Sequence, residues 1–208
     1  MNAVVVLGGG GHAKVVVSTC RAAGFEVSAV LDDDPARLGT SVLGVRVAGP
    51  IELGSIALGG SAVIAVGDNR VRQKIASRPG VSWTTAVHPS AVVDGSVRLG
   101  EGTVVFAGAV VQPDAQVGRH AVLNTRAVVE HDVTVGDFAH VAPGAVLAGG
   151  VRVGEGALIG AGAVVCPGRT VGAWSVVGAG AVVVADVPPG VVAVGVPARV
   201  RRTEARES

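Results

Sequence analysis

Residues 139–165 read AHVAPGAVLAGGVRVGEGALIGAGAVV, and an aliphatic side chain recurs in them at every sixth position: Val141, Leu147, Val153, Ile159 and Val165. Followed in both directions, the series runs from Val87 to Val183 in seventeen consecutive hits. Two residues before most hits stands a small residue, as at Ala139, Ala145, Ala157 and Ala163, and glycine often follows, as at Gly154 and Gly160. A helix repeats near 3.6 residues and a strand at 2, so a period of six belongs to neither alone. Two inward positions followed by a corner describe a short strand and a turn, with glycine supplying corner angles that other residues resist. Such hexads bury their apolar face only against one another and stack into a parallel β-helix. With three hexads to a coil, residues 18 apart lie above one another.

The composition fits a narrow prism of this kind. The chain has 208 residues, 49% of them hydrophobic, yet it carries only three Phe, two Trp and no Tyr against 32 Gly. Gly, Asp, Arg or Pro interrupts every apolar run before the ~20 residues that a membrane span needs. The formal net charge of +1 speaks against nucleic acid or an anionic membrane as main partner. Cys20 and Cys166 stand far apart with no CxxC spacing, which fits a reducing compartment. The opening MNAVVVLGGGGH has no basic segment and no cleavage motif, so a cytoplasmic location is expected.

Residues 1–86 lack the hexads and alternate strands with helices, as a small parallel α/β domain does. Strands are expected at Ala3–Leu7, Val27–Leu31, near Val45–Val47 and at Ala62–Val66, and helices over about 12–23, 51–58 and from Asn69 to about Arg78. Val81–Thr85 leads into the coil, residues 87–186 form it, and 187–208 make a tail with Pro188-Pro189-Gly190 and then Arg199, Arg201 and Arg202. The loop Gly8–Gly11 follows a strand and opens a helix, where backbone amides can hold a diphosphate. Gly8-x-Gly10-x-x-Ala13 fits the permissive dinucleotide pattern, and Asp32 stands 22 residues beyond Gly10, close to the usual ribose acid. Gly67-Asp68-Asn69, at the end of a neighbouring parallel strand, opens onto the same edge. Nucleotide binding is favoured over a merely tight turn, with the nucleotide open; His12 either meets a phosphate or is simply polar there.

Within the coil, Asn124-Thr125, Glu130-His131-Asp132 and His140 break the run of Arg, Thr, Glu and Gly at outward positions. His131 lies two residues past inward Val129, hence at an exposed corner, with Pro113 below and Gly149 above it. An imidazole beside a carboxylate suits a general base near neutral pH. Strand alternation, however, directs Glu130 and Asp132 away from it, and on the coil alone an isolated surface histidine is the favoured reading. His140, nine residues on, falls on another wall, so the two can meet only across a boundary between copies. A metal site finds no support: His120, His131 and His140 are 11 and 9 residues apart and do not stack. His88-Pro89-Ser90 reads as turn chemistry, and the cysteines as small packing residues.

The hexads, Asn124-Thr125, Glu130-His131-Asp132, His140 and Gly195-Val196-Pro197-Ala198 resemble the hexapeptide acyltransferases. The Gly-rich loop with His12, Leu31-Asp32-Asp33 and Gly67-Asp68-Asn69 with Arg72 narrow the resemblance to the sialic acid O-acetyltransferase/PglD-like family, over essentially the whole chain. The resemblance implies a Rossmann-like N-terminal domain, a left-handed β-helix, a homotrimer, and acetyl-CoA lying between adjacent coils, with no metal. It implies His131 as base with Asp132 raising its basicity, and His140, Ala161 and Ala179 as acetyl-CoA contacts. It assigns Gly10, Gly11, His12, Asp32, Asp33 and Gly67 to a nucleotide-linked sugar. The expected reaction is N-acetylation of a nucleotide-linked 4-amino-4,6-dideoxy sugar by direct attack on the thioester. Sialic acid O-acetylation and a non-catalytic nucleotide-binding scaffold are the alternatives; a dehydrogenase has no evident hydride-transfer domain.

Overall fold

The computed structural model describes residues 3–51 and 61–203. Its N-terminal part is a six-stranded sheet built from β1 (Ala3–Leu7), β2 (Glu26–Leu31), β3 (Ser41–Val42), β4 (Val45–Gly49), β5 (Ser61–Ile64) and β6 (Ser82–Trp83). The spatial order is β3-β4-β2-β1-β5-β6, parallel throughout except for the β3–β4 hairpin. The expected strands are present. Val81–Thr85 does more than lead into the coil, because its central pair adds β6 to the sheet. The expected helix over 51–58 lies, apart from Ile51, outside the described residues.

Helix α1 (Gly11–Ala22) buries Ala13, Val16, Val17 and Cys20. Gly24 (φ +85°) ends it, and Phe25 N–H reaches back to the Cys20 carbonyl at 3.0 Å. Helix α2 (Asn69–Ala76) starts where the Asp68 carboxylate accepts from Arg70 N–H and Val71 N–H at 2.9 and 3.0 Å. Connection order reverses beside β1: its chain successor β2 lies on one side and β5 on the other, so the loops after β1 and β5 face each other at the switch point.

From Ala86 the chain winds into a parallel β-helix of two-residue strands six residues apart, stacked in three sheets with register i to i+18. The second residue of each pair points inward: Val105, Leu123, Val129, Val141, Leu147, Ile159 and Val165 are fully buried. Fully buried alanines (Ala109, Ala115, Ala127, Ala145, Ala163) fill the corners between them. The interior admits nothing wider, which is why large rings are so few.

Outward residues give each wall its own character. On the first wall, Ala86, Val104 and Val122 are buried in one cluster with Ala13, Val16 and Val17 of α1, so the α/β part is docked there, and His140, Leu158 and Val176 continue the row. The second wall presents Val92, Val110, Val128, Val146, Val164 and Val182, none of them buried. The third presents Arg98, Gln116, Thr134, Arg152 and Thr170, as suits a solvated face. The tail is partly structural: Val191–Val194 adds to the first wall and Arg199–Thr203 returns antiparallel to it.

Candidate active site

His131 stands at the corner between the second and third walls, with its side chain 64% exposed. Its Nδ1 lies 2.7 Å from Asp132 Oδ2. Strand alternation predicted the opposite orientation. The difference comes from the backbone: Asp132 has φ +60°, and this left-handed turn swings the carboxylate back onto the imidazole. The hydrogen bond to Asp132 raises the His131 pKa above its ordinary value; slight desolvation opposes it, and the charges of Asp132 and Glu130 add to it. With Nδ1 held by the carboxylate, Nε2 is left as the free, basic nitrogen. It lies over Gly149, one coil on, where an added Cβ would come 2.6 Å from Nε2. Glycine at this position is what leaves room for the imidazole ring.

Ala161 and Ala179 occupy the corner between the first and second walls, one coil apart and both exposed, with Gly180 N–H donating to the Ala161 carbonyl at 2.8 Å. Gly160 is obligatory here, since a Cβ would sit 2.5 Å from Ala179 N. The valine wall thus has the alanine column along one edge and His131 on the other. Within one chain the two are not brought together.

His140 faces the α/β part. Asn124 Nδ2 donates to its Nε2 at 3.0 Å, and its ring centroid is 6.1 Å from that of His12. Burial pushes its pKa down to about 3, helped by the charges of Arg72 and His12 and opposed by the Gly67 carbonyl. His140 is a neutral group, then, and does not share a corner with His131. His12, in the first turn of α1, packs edge-on against Phe106 at 5.4 Å, and its buried Nε2 has no hydrogen-bond partner among the described residues. Burial and then the Arg72 charge lower its pKa also.

At the glycine loop, Gly10 and Gly11 border open space, and α1 has neither a side-chain cap nor an acid in its first turn, so its amides are available to an anion. Gly8 closes the loop against the segment that follows β5, where a Cβ would come 2.8 Å from Val66. Asp32 accepts from Gly9 N–H at 2.5 Å and from Asp34 N–H at 2.8 Å, so its carboxylate braces the loop. Asp33 accepts from Ile51 N–H at 2.7 Å and lies 3.7 Å from Arg78 Nη2. A Cβ on Gly67 would meet nothing within 4 Å.

Several residues of this region were not singled out by sequence reasoning. A cleft of about 150 Å³ opens beneath Gly67, Asp68, Asn69 and Arg70, floored by Leu158 and Val176 and closed by Gly156 and Trp174. Asn69 Nδ2 donates to the Gly156 carbonyl at 2.9 Å, and the Arg70 guanidinium lies 4.5 Å from the Trp174 ring centroid. The available signal was Trp174 itself, a ring in a column that holds glycine one coil earlier, at Gly156. His88 accepts from Ser90 N–H at 3.1 Å, as a turn. Burial pushes the Cys20 thiol up to about 12, which suits packing. Among the described residues no group of three His, Cys, Asp or Glu is placed to hold a metal, and no helix is long and apolar enough to cross a membrane.

Comparison with known proteins matches residues 3–78 to the PglD N-terminal domain and residues 150–185 to the bacterial transferase hexapeptide (six repeats). The structure of PerB from Caulobacter crescentus, a perosamine N-acetyltransferase in complex with CoA and GDP-perosamine, is 49% identical. That match covers 97% of this chain and 98% of that one, with a TM-score of 0.91. The acetyltransferase domain of PglB from Neisseria gonorrhoeae, in complex with acetyl coenzyme A, is 38% identical over 97% of this chain and 100% of its own, with a TM-score of 0.90. UDP-N-acetylbacillosamine N-acetyltransferase of Bacillus subtilis is 43% identical over 116 residues, which span 51% of this chain and about half, 52%, of that relative. With near-complete coverage at 49% identity, the chain belongs to the PglD-like family of hexapeptide-repeat acetyltransferases.

Proposed function

We propose that this protein is an acetyl-CoA-dependent N-acetyltransferase acting on the amino group of a nucleotide-linked 4-amino-4,6-dideoxy sugar. The observation that carries the reading is the His131–Asp132 pair at one edge of an uncovered valine wall, with the Ala161–Ala179 column along the other. Association of three copies through that wall buries the valines. It also brings His131 of one copy to the alanine column of the next, where the pantetheine arm would run against backbone. The bound CoA, acetyl-CoA and GDP-perosamine of the relatives support the same assignment.

The division of labour follows. Residues 1–86 hold the sugar nucleotide, with the diphosphate on the amides of Gly10 and Gly11 beside His12, the nucleoside toward Asp32 and Asp33, and the sugar toward Gly67. Residues 87–186 form the transfer domain, and 187–208 are its tail, of which 187–203 close the end of the coil. The sugar amine attacks the thioester carbonyl, and His131 Nε2 takes the ammonium proton as the tetrahedral intermediate forms or collapses. The C–S bond then breaks, and the CoA sulfur leaves as the new amide forms. Asp132 holds the imidazole in the tautomer this needs. His140, neutral and fixed by Asn124, contacts acetyl-CoA. Neither cysteine carries the acyl group, and positioning of the two substrates supplies much of the acceleration. Acetyl-CoA as donor fits a cytoplasmic location.

A thiol-release assay with UDP-, GDP- and dTDP-linked 4-amino-4,6-dideoxy sugars, run beside free sialic acid, tests the proposal. Release with an amino sugar nucleotide is expected. Release with sialic acid alone would replace N- by O-acetylation, and release with none would leave a nucleotide-binding scaffold.

A further inference from the structure

Arg72 is 1% exposed and has no carboxylate within salt-bridge distance among the described residues. Its guanidinium is nonetheless saturated, and by neutral oxygens from two parts of the molecule. On the α/β side, Nη1 donates to the carbonyls of Val66 and Gly67 at 3.1 and 3.4 Å, and Nη2 to Asn69 Oδ1 at 2.9 Å. On the β-helix side, Nε donates to the His120 carbonyl at 2.8 Å, and Nη2 to the carbonyls of Phe138 and Ala139 at 2.6 and 3.5 Å. Ala139 is the residue before His140, and Gly67 is the loop residue facing it.

We propose that Arg72 is a positioning residue for the transfer reaction: its planar fork ties the Gly67 turn and the peptide leading into His140 into one rigid unit, so that the sugar-nucleotide loop and the β-helix wall present a preformed surface to the substrate. Only a guanidinium offers five donors in one plane, and no lysine can span both sets of carbonyls. An isolated buried cation is costly, and a docking helix could be held by apolar contacts instead, so its retention here points to geometry. The corner it grips is itself strained, since His120, Phe138 and Trp174 all take left-handed backbone angles (φ +50°, +57° and +57°). Burial lowers the Arg72 pKa to about 10, with Asp68 pulling it back, so it stays charged near neutrality.

The proposal rests on the sugar-nucleotide reading given above, and its test separates the two. Arg72→Gln and Arg72→Lys are prepared as full-length oligomer and compared with the parent protein by hydrogen–deuterium exchange and by steady-state kinetics. Segments 65–70 and 136–142 should exchange faster together, by about tenfold, while the distal coils near 150–185 keep parental rates. The KM for the sugar nucleotide should rise at least ~10-fold in Arg72→Gln and less in Arg72→Lys, with a smaller rise in the KM for acetyl-CoA through His140. Parental exchange in both segments overturns the proposal. So does a lowered melting temperature with both KM values unchanged, which would make Arg72 purely structural. If Arg72→Gln fails to fold, the Lys variant carries the same comparison. If the parent protein releases no thiol, the function reading falls while the exchange comparison still decides whether Arg72 couples the two segments.

Discussion

His131 and Asp132 are neighbours in sequence, yet their contact exists only because one backbone angle is reversed. The column of residues at 114, 132, 150 and 168 carries φ values of +62°, +60°, +68° and +67°, with glycine at the last two positions. Only at 132 does an aspartate there meet a histidine one residue before it. His131→Ala is expected to lower kcat by ~10²-fold or more. Because the side chain is exposed, the melting temperature should stay at the parental value, and differential scanning fluorimetry beside the kinetics checks both. Asp132→Asn is the finer probe, since asparagine tolerates the left-handed angle. Asp132 stabilises the protonated imidazole, so the free base forms only at higher pH. Removing the charge should therefore move the acidic limb of the kcat/KM–pH profile to lower pH, with a lower plateau. An unmoved limb would disconnect His131 from the profile.

At the scale of elements, the seam between α2 and the β-helix corner is held by neutral histidine rings. His120 is 3% exposed, lies parallel to Phe138 at 5.5 Å and edge-on to Trp83 at 4.8 Å, and its pKa is pushed down to about 4 by burial, then by Arg119 and Arg72. His140, down at about 3, sits one wall position away. Between these values and the ordinary 6.5, the unfolded chain binds protons that the folded one refuses. Stability is thus intact above pH ~6.5 and falls as pH drops, by up to ~1.4 kcal/mol per pH unit for each ring. Melting scans from pH 7 to pH 4 should show this loss, with a shallower slope for His120→Asn, whose asparagine accepts the same backbone angle. The seam also marks where the sequence ceased to be legible. The inward aliphatic row could be read because each core position is local and repeats. The glycine loop could be read because a strand, a turn and a helix stand in order. The use of Asp32 as a brace on Gly9, and the reach of Arg72 across 48 and 66 residues to the carbonyls of His120 and Phe138, are long-range pairings with no period to betray them.

The whole molecule is a prism whose three faces have different duties: one carries the α/β part, one is valine, one meets water. If the valine face is where copies join, each site draws on two chains. His131→Ala and Ala161→Trp should each be nearly inactive alone. Co-refolded together, they should regain part of the parental activity, because a seam with His131 from one chain and Ala161 from the other is intact. No recovery in mixed oligomers verified by mass would place both halves of the site in one chain. Val146→Asp, on the same face, should shift the light-scattering mass downward and abolish activity while leaving each β-helix folded. The six-residue strand spacing also constrains how such a chain can lengthen or shorten in evolution. Eighteen extra residues add a full storey and leave every later side chain above its old column. Six extra residues keep every inward valine inward and look harmless to the core, yet they rotate all that follows by one face. The floor at Leu158 and Val176 would then turn away from Arg70, and the alanine column away from its neighbour. A whole coil inserted after Val183 spares the cleft and the Arg72 contacts, whereas a single hexad inserted before Leu158 would fold well and do nothing.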